Sequence, residues 1–377
     1  MVDLKIKNKT DVRDGMDFVR PSIKKNNNQK PQGINMKVAL YIAIIIVAIS
    51  SIGSCFDNVI VVESERELYA MDTYMTFKVY GKDREKALNE IVSRVQELDE
   101  IFSISKNGAI SELNKEKSLD DNEEVIELIK TANDISNETD GALDITVYPL
   151  MDEWGFVSKE YKIPDDEKIK DILKSVNYNY VNIDDDEITL ENDAKVDLGS
   201  IVKGYTGDII ADVLKRYNVK YAIASLGGNI EIYKKKPDGK PWKIGVDNPF
   251  KENEGDNTTI GDITINDGRD GKAIITSGDY ERYFEKDGKR YHHILDPKTG
   301  YPVDNGVRSV TIVSGNGTFA DALSTTLFVL GKDKAKEYWK NHSDEFDYVM
   351  VMEDKTIIVS EGLKDDFTTD CECEYVK

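Results

Sequence analysis

Apolar residues along this chain recur with two different periods, and the switches between them mark out the secondary structure. From Tyr69 to Tyr80, Met71, Thr73, Met75, Phe77 and Val79 alternate with more polar neighbours, which predicts a strand. Between Lys82 and Phe102 the spacing changes to three and four. Ala87, Ile91, Val95, Leu98 and Phe102 then fall on one stripe, the mark of an amphipathic helix. Glu123 to Asn137 repeats that pattern with Val125, Ile126, Ile129, Ala132 and Ile135. A β-rich stretch over Val181–Val196 precedes a helix over Val202–Tyr217. Short strands are expected at Tyr221–Leu226, Ile230–Lys234, Trp242–Val246, Ile260–Ile265, Ala273–Ser277 and Tyr291–Leu295. A strand at Val307–Val313, helices at Phe319–Leu330 and Asp333–Asn341, and a hairpin of Phe346–Met352 with Thr356–Val359 complete the body. Strands and helices mix without a regular βαβ rhythm. The expectation is an α+β fold of mixed, largely antiparallel sheets with packed helices, in one domain over residues 67–362.

The ends read differently. Residues 1–35 are polar and rich in Asn and Lys, without periodicity, and read as disordered or as a mis-assigned start. Val38 to Ile49 is then an uninterrupted apolar run of about a dozen residues, short of the roughly 20 needed to span a bilayer. It suits the apolar region of a secretory signal, with Lys37 as the positive flank. Ile52-Gly53-Ser54-Cys55 follows, and this resembles a lipobox, in which the chain is cut before a cysteine that becomes lipidated. Residues 36–55 therefore read as a lipoprotein signal with Cys55 as the lipidation site, or as an uncleaved anchor reaching Phe56. Both readings put residues 57–377 outside the cytoplasm and tether them to a membrane. Residues 56–66 read as a linker and 363–377 as an acidic tail.

Composition narrows the function. Among 377 residues the formal net charge is −21, which disfavours nucleic acid as a partner, because backbone phosphates need clustered Lys and Arg. A phosphate-bearing ligand would have to be held locally, by a metal ion or by backbone N–H groups. Cys55, Cys371 and Cys373 are the only cysteines, so no disulfide framework spans the body. The tail pair can oxidise, bind a metal or do neither.

No Gly-x-Gly-x-x-Gly follows a strand, no Gly-Lys-Ser/Thr loop occurs, and no His-Glu-x-x-His is present. Residues with chemical potential form five islands instead: Met71–Thr76, Asp140–Leu150 with Trp154-Gly155-Phe156, Asp197–Tyr205, Ser225–Asn229, and Thr276–Tyr280 continuing through His292–Pro302 to Ala320–Thr326. In the third, a strand ends at Asp197 and a helix is expected near Ser200, which would bring Lys203 and first-turn N–H groups to one place where an anion is welcome. An N-cap with a surface lysine fits the same residues. In the fifth, Asp321 and Thr325 lie one helical turn apart with Ser324 beside them, hard oxygen donors at a spacing that suits Mg²⁺. A helix start with an Asp in its first turn fits equally well. His293, entering the Asp296-Pro297 turn, is an acid/base candidate or a structural histidine.

In this order the islands resemble the family of FAD:protein FMN transferases, also called thiamine-biosynthesis lipoproteins. The likeness covers about residues 68–360 and is most specific in Thr276–Tyr283, His293–Pro302 and Ala320–Leu330. It implies a single catalytic domain that takes FAD as substrate and Mg²⁺ as cofactor, and that moves FMN to a Thr or Ser of a flavoprotein subunit in a membrane redox complex, releasing AMP. It further implies FAD contacts at Met71, Ala142, Leu143, Asp144, Asp197, Lys203 and Leu295, metal ligation by Ser200, Asp321 and Thr325 with Ser324 adjacent, and catalytic roles for His293, Asp321 and Lys203. Many members carry Tyr in a Ser-Thr-Tyr-Arg segment where this chain has Phe102-Ser103-Ile104-Ser105-Lys106, one residue shorter before Asn114, so that aromatic contact departs from the pattern. Two other activities remain open on the same residues: a metal-dependent FAD pyrophosphatase and a non-catalytic FAD-binding lipoprotein.

Overall fold

The computed structural model describes residues 62–236, 238–251, 258–266 and 271–377. The apolar run, the lipobox and Cys55 lie outside the described residues.

The chain enters the body as a hairpin of Glu63–Ala70 (β1) and Thr73–Gly81 (β2), joined by Met71 and Asp72. Both turn residues have positive φ, 49° and 57°, the mark of the hairpin turn whose twist matches its strands. The single strand expected over Tyr69–Tyr80 is thus two strands. Alternation runs through a two-residue turn without a break, and no Asn-Gly pair flags it. Asp99 Oδ1 accepts the Met71 N–H at 2.8 Å and holds the turn down.

Arg84–Ile101 (α1) follows and buries the predicted stripe, with Ala87, Ile91, Val95 and Leu98 at 0–1% exposure. Each large apolar side chain so buried contributes roughly 1.5–3 kcal/mol relative to exposure. Next come Ala109–Glu116 (α2), Ser118–Asp120 (β3), Glu123–Glu138 (α3), Tyr148–Glu153 (α4), Asp166–Ile172 (α5), Val181–Asp184 (β4) and Glu187–Leu190 (β5). Val202–Arg216 (α6) leads into Val219–Leu226 (β6) and Asn229–Tyr233 (β7), then Trp242–Asp247 (β8), Thr259–Ile265 (β9) and Lys272–Gly278 (β10). A small hairpin of Tyr283–Lys286 (β11) and Lys289–His292 (β12) precedes Val307–Ser314 (β13). Gly317–Asn341 (α7), Phe346–Met352 (β14), Ile357–Ser360 (β15), Phe367–Thr368 (β16) and Cys373–Val376 (β17) finish the chain. Gly331, at φ 75° and ψ 174°, breaks α7 where two helices were expected.

Nine strands form one sheet in the order β1-β2-β6-β7-β10-β13-β14-β15-β17. Every neighbouring pair is antiparallel except β15 with β17. This is the expected α+β architecture. Successive residues of β13 show its two faces: Ile312 packs with Leu323 and Phe328 of α7, while Val313 packs with Trp242 and Ile263 of the three-stranded sheet β16-β9-β8. The segment expected as an acidic tail folds back instead. Phe367 and Val376 are buried, and β17 lines up beside β15, because its apolar residues outweigh the acids that remain at the surface. Cys371 and Cys373 are free thiols there.

Candidate active site

The β1–β2 turn, the β6–β7 turn and the exit of β10 lie at one end of the large sheet, beside the first turns of α6 and α7. The approach to α6 begins at Asp197, whose N–H donates to Ile145 O at 2.8 Å and whose Oδ1 accepts the Gly199 N–H at 2.8 Å. The helix starts at Val202, just beyond the expected Ser200, and its own cap residue Ile201 offers no side-chain acceptor. The missing cap comes from α7. Asp321, 3% exposed, accepts the Gly204 N–H on Oδ2 at 2.8 Å and the Asn229 Nδ2–H on Oδ1 at 3.0 Å. Lys203 Nζ stands 3.9 Å from Asp321 Oδ1 and 3.3 Å from Gly199 O. The expectation that first-turn N–H groups stay open to an anion is corrected at Gly204, whose N–H is taken by this carboxylate.

The favour is returned. Asp208, one turn along α6, accepts from Gly317 N, Thr318 N and Thr318 Oγ1 at 2.7, 2.7 and 2.6 Å, and so caps α7. Asn316 also caps α7 by accepting the Phe319 N–H at 2.9 Å, so each helix start is completed by a carboxylate of the other, α7 with a cap of its own besides. The two backbones meet at Gly204 and Gly317, where a Cβ on Gly204 would stand 2.0 Å from Gly317 O.

Hydroxyl groups gather beside Asp321. Ser324 is fully buried and donates to Asp321 O at 2.8 Å, while Ser277 Oγ lies 2.7 Å from Ser324 Oγ and 3.2 Å from Thr325 Oγ1. Thr325 is the half-buried member and Ser324 is engaged in packing. Among the described residues no group of three His, Cys, Asp or Glu side chains could hold a metal. A soft or borderline ion therefore has no ligand set in this region. One carboxylate with hydroxyl and carbonyl oxygens does fit a hard ion such as Mg²⁺, which keeps several waters.

His293 follows β12. Its N–H and its Nδ1 both address Arg282 O, at 3.0 and 3.2 Å. A carbonyl only accepts, so Nδ1 carries the hydrogen and Nε2 keeps its lone pair. Burial pushes the imidazole well below its usual range, and Arg282, His292 and Lys203 add to the effect. It is neutral near pH 7. Glu281 shares the neighbourhood: part of its surface meets solvent, and desolvation of the carboxyl by the groups around it pushes it up to about 7. Lys203 and Arg282 oppose that rise and Asp321 adds to it. Lys203 is thus within electrostatic reach of Asp321, Glu281 and His293.

The remaining candidates divide. Met71 borders the site, with Thr206 Oγ1 3.6 Å from its sulfur. Ser200 lies in the turn before α6. Ala142, Leu143 and Leu295 are buried, and Leu295 packs with Trp154, Phe156 and Ile169. Asp144 is a structural knot: Oδ1 accepts from Thr146 N and Oγ1 at 2.8 and 2.6 Å, and Oδ2 accepts from Tyr178 N at 2.9 Å. At the departure from the family pattern, Phe102 packs edge-on against Tyr205, and Lys106 pairs with Asp99, the same carboxylate that holds the Met71 turn. The sequence places Asn229 and Ser277 inside chemically suggestive islands without giving either a role, and passes over Glu281. Asn229 follows the double glycine that hints at a special turn, and that was its only signal.

Residues 71–350 match the model of the ApbE family. An FAD:protein FMN transferase of Klebsiella pneumoniae is 35% identical over 239 residues, which cover 63% of this chain and 71% of the relative. The FAD:protein FMN transferase of Escherichia coli K12 is 30% identical over 281 residues, 71% of this chain and 78% of that protein. Among solved structures, the ApbE protein of Thermotoga maritima superposes with a TM-score of 0.73 at 34% identity, covering 81% of this chain and 99% of that one. The flavin transferase ApbE of Vibrio cholerae gives 0.72 at 26% identity, covering 81% of this chain and all of its own.

Proposed function

This chain belongs to the ApbE family and is a flavinyltransferase, and from that premise we propose that it moves the FMN half of FAD onto a Ser or Thr hydroxyl of a flavoprotein subunit in a membrane redox complex. One observation carries the reading: Lys203 and Asp321, 118 residues apart in sequence (321 − 203), stand 3.9 Å from each other with Thr325, Glu281 and His293 around them.

In the proposed step the acceptor hydroxyl oxygen attacks the phosphorus on the FMN side of the pyrophosphate. The bond to the bridging oxygen breaks, and its electron pair leaves with AMP. The hydroxyl proton passes to Nε2 of His293, a general-base contribution of roughly 10²–10⁴ in rate. Lys203 supplies fixed positive charge beside the pyrophosphate. Asp321 and Thr325, with the Ser200 carbonyl, would hold Mg²⁺, which when bound withdraws charge from phosphate oxygens. Gly204 N–H and Asn229 fix the Asp321 carboxylate, so that its direction does not depend on the ion. Positioning supplies most of the acceleration in transfers of this kind.

Incubation with FAD, Mg²⁺ and a candidate acceptor, read by in-gel flavin fluorescence, tests the proposal. A fluorescent acceptor band that disappears with EDTA and in Asp321→Ala is expected. Free FMN without a labelled band would mean hydrolysis, and intact FAD would mean a carrier. Either result overturns the transferase step. Among the described residues no helix is long and apolar enough to cross a membrane. The tether we propose is the lipid on Cys55, with residues 57–377 outside the cytoplasm.

A further inference from the structure

The hairpin of β11 and β12 is a separate two-stranded sheet, not a continuation of the nine-stranded one. It nevertheless delivers His293. Phe284 and Tyr291 pack on Trp154 along one face of it, and one buried carboxylate ties its second strand to the large sheet. Asp279 is 6% exposed and lies just before the hairpin. Its Oδ2 is 2.9 Å from Arg308 Nε of β13, and its Oδ1 is 3.7 Å from Arg290 Nη1 of β12. Its N–H also donates to Arg308 O at 3.1 Å. The two guanidiniums are themselves only 20% and 28% exposed. Asp279 Oδ1, Arg290 Nη1 and Arg308 Nε are all buried without a well-aligned hydrogen bond, so the attachment is ionic.

Geometry connects this clamp to the imidazole through the chain entering the hairpin and through its second strand. Arg282, whose carbonyl receives the His293 N–H and Nδ1–H, is three residues beyond Asp279. His292, next to His293, is two residues beyond Arg290, and its Nε2–H donates to Val303 O at 2.9 Å. The contacts of Asp279, Arg290 and Arg308 run to one another, to Glu285, Tyr283, Pro249 and Phe250, and not to Lys203, Asp321, Thr325 or His293. We infer that Asp279 is a positioning residue, which through Arg290 and Arg308 sets the direction and tautomer of His293. The inference rests on the reading of His293 as the proton acceptor, and it deepens that reading.

The chain has only three histidines, His292, His293 and His342, so imidazole NMR signals of ¹³C/¹⁵N-histidine protein can be followed one by one. In Asp279→Asn the His293 and His292 signals should shift, with His293 losing its single Nδ1–H tautomer, while His342 stays in place. This readout needs no turnover, so it judges the clamp even if the wild type labels no acceptor. In the fluorescence assay the same variant should lose about 10–100-fold in kcat, with FAD affinity within twofold of wild type. Asp279→Glu should recover part of the loss. In a His293→Ala background the Asp279→Asn change should have no further effect, since both then remove one function. Unmoved His293 signals, a kcat within threefold of wild type, a loss that falls on FAD affinity, or an equal loss in the His293→Ala background would each overturn the inference. Arg308→Gln carries the same test should Asp279→Asn not fold, and failure of both to fold would reduce the clamp to a stability element.

Discussion

Replacing Gly204 by Ala tests whether the crossing of α6 and α7 sets the site. The added Cβ would stand 2.0 Å from Gly317 O and 2.6 Å from Asp321 Cβ. Carbon–oxygen contacts settle at about 3.3 Å or more, so the crossing must open by roughly 1 Å. Two effects follow. Overpacking of this kind costs about 1–3 kcal/mol, a large part of the roughly 5–15 kcal/mol that holds a typical domain together. Displacement of Asp321 by about 1 Å from Lys203 is expected to cost on the order of 100-fold in kcat. Gly207, one turn along the same helix, is the control: its added Cβ would meet Glu231 Oε2 at 3.6 Å, an ordinary contact. Gly207→Ala should be neutral or stabilising by up to about 1 kcal/mol, the helix propensity of Ala over Gly. Urea midpoints and in-gel labelling rates of the two variants decide the matter. A Gly204→Ala protein with wild-type midpoint and labelling rate would refute the claim that this contact fixes the carboxylate.

Lys203→Ala should weaken FAD binding by about 10–100-fold, the equivalent of a charge-assisted contact of roughly 1.5–3 kcal/mol; fluorescence titration that finds unchanged affinity would remove Lys203 from the site. The pH dependence of kcat/KM has a definite sign. His293, lowered by burial together with Arg282, His292 and Lys203, works as a base only when unprotonated, so activity should hold as pH falls through 6.5 and drop only below it. An acid limb near pH 7 would instead report Glu281, whose carboxyl is pushed up to about 7, and would contradict the assignment to His293. Cys55→Ala should move the protein from the detergent phase to the aqueous phase in a Triton X-114 partition, and continued membrane retention would favour an uncleaved anchor.

Helices were legible where one face is buried and the other wet. The predicted stripe of α1 is the buried one, that of α3 is buried except for the half-buried Ile126 and omits the buried Leu128, and α6 ends within a residue of its expected bounds. β1 was not legible, because it is an edge strand whose outward positions are Glu63, Glu65 and Glu67 and whose inward face is only half covered. Its acids match those of a solvated linker. The reach of β17 to the sheet was hidden for the same reason. Asp321, Thr325, Lys203 and His293 stood out through chemistry and family likeness, and the structure brings them together. Asn229 and Ser277 did not, since their meaning lies in partners 92 and 47 residues away. Asp144 shows the converse: a carboxylate in a family-like segment whose oxygens are taken by a local turn and by Tyr178.

The exchange of caps between α6 and α7 has a consequence for how the protein comes into being. The bonds involved close loops of 109 and 117 residues, so neither helix start is complete in a partial chain. Contacts so distant in sequence form late. Refolding experiments should therefore recover flavin affinity in the same kinetic phase as native near-ultraviolet ellipticity, with no earlier species able to capture the dinucleotide.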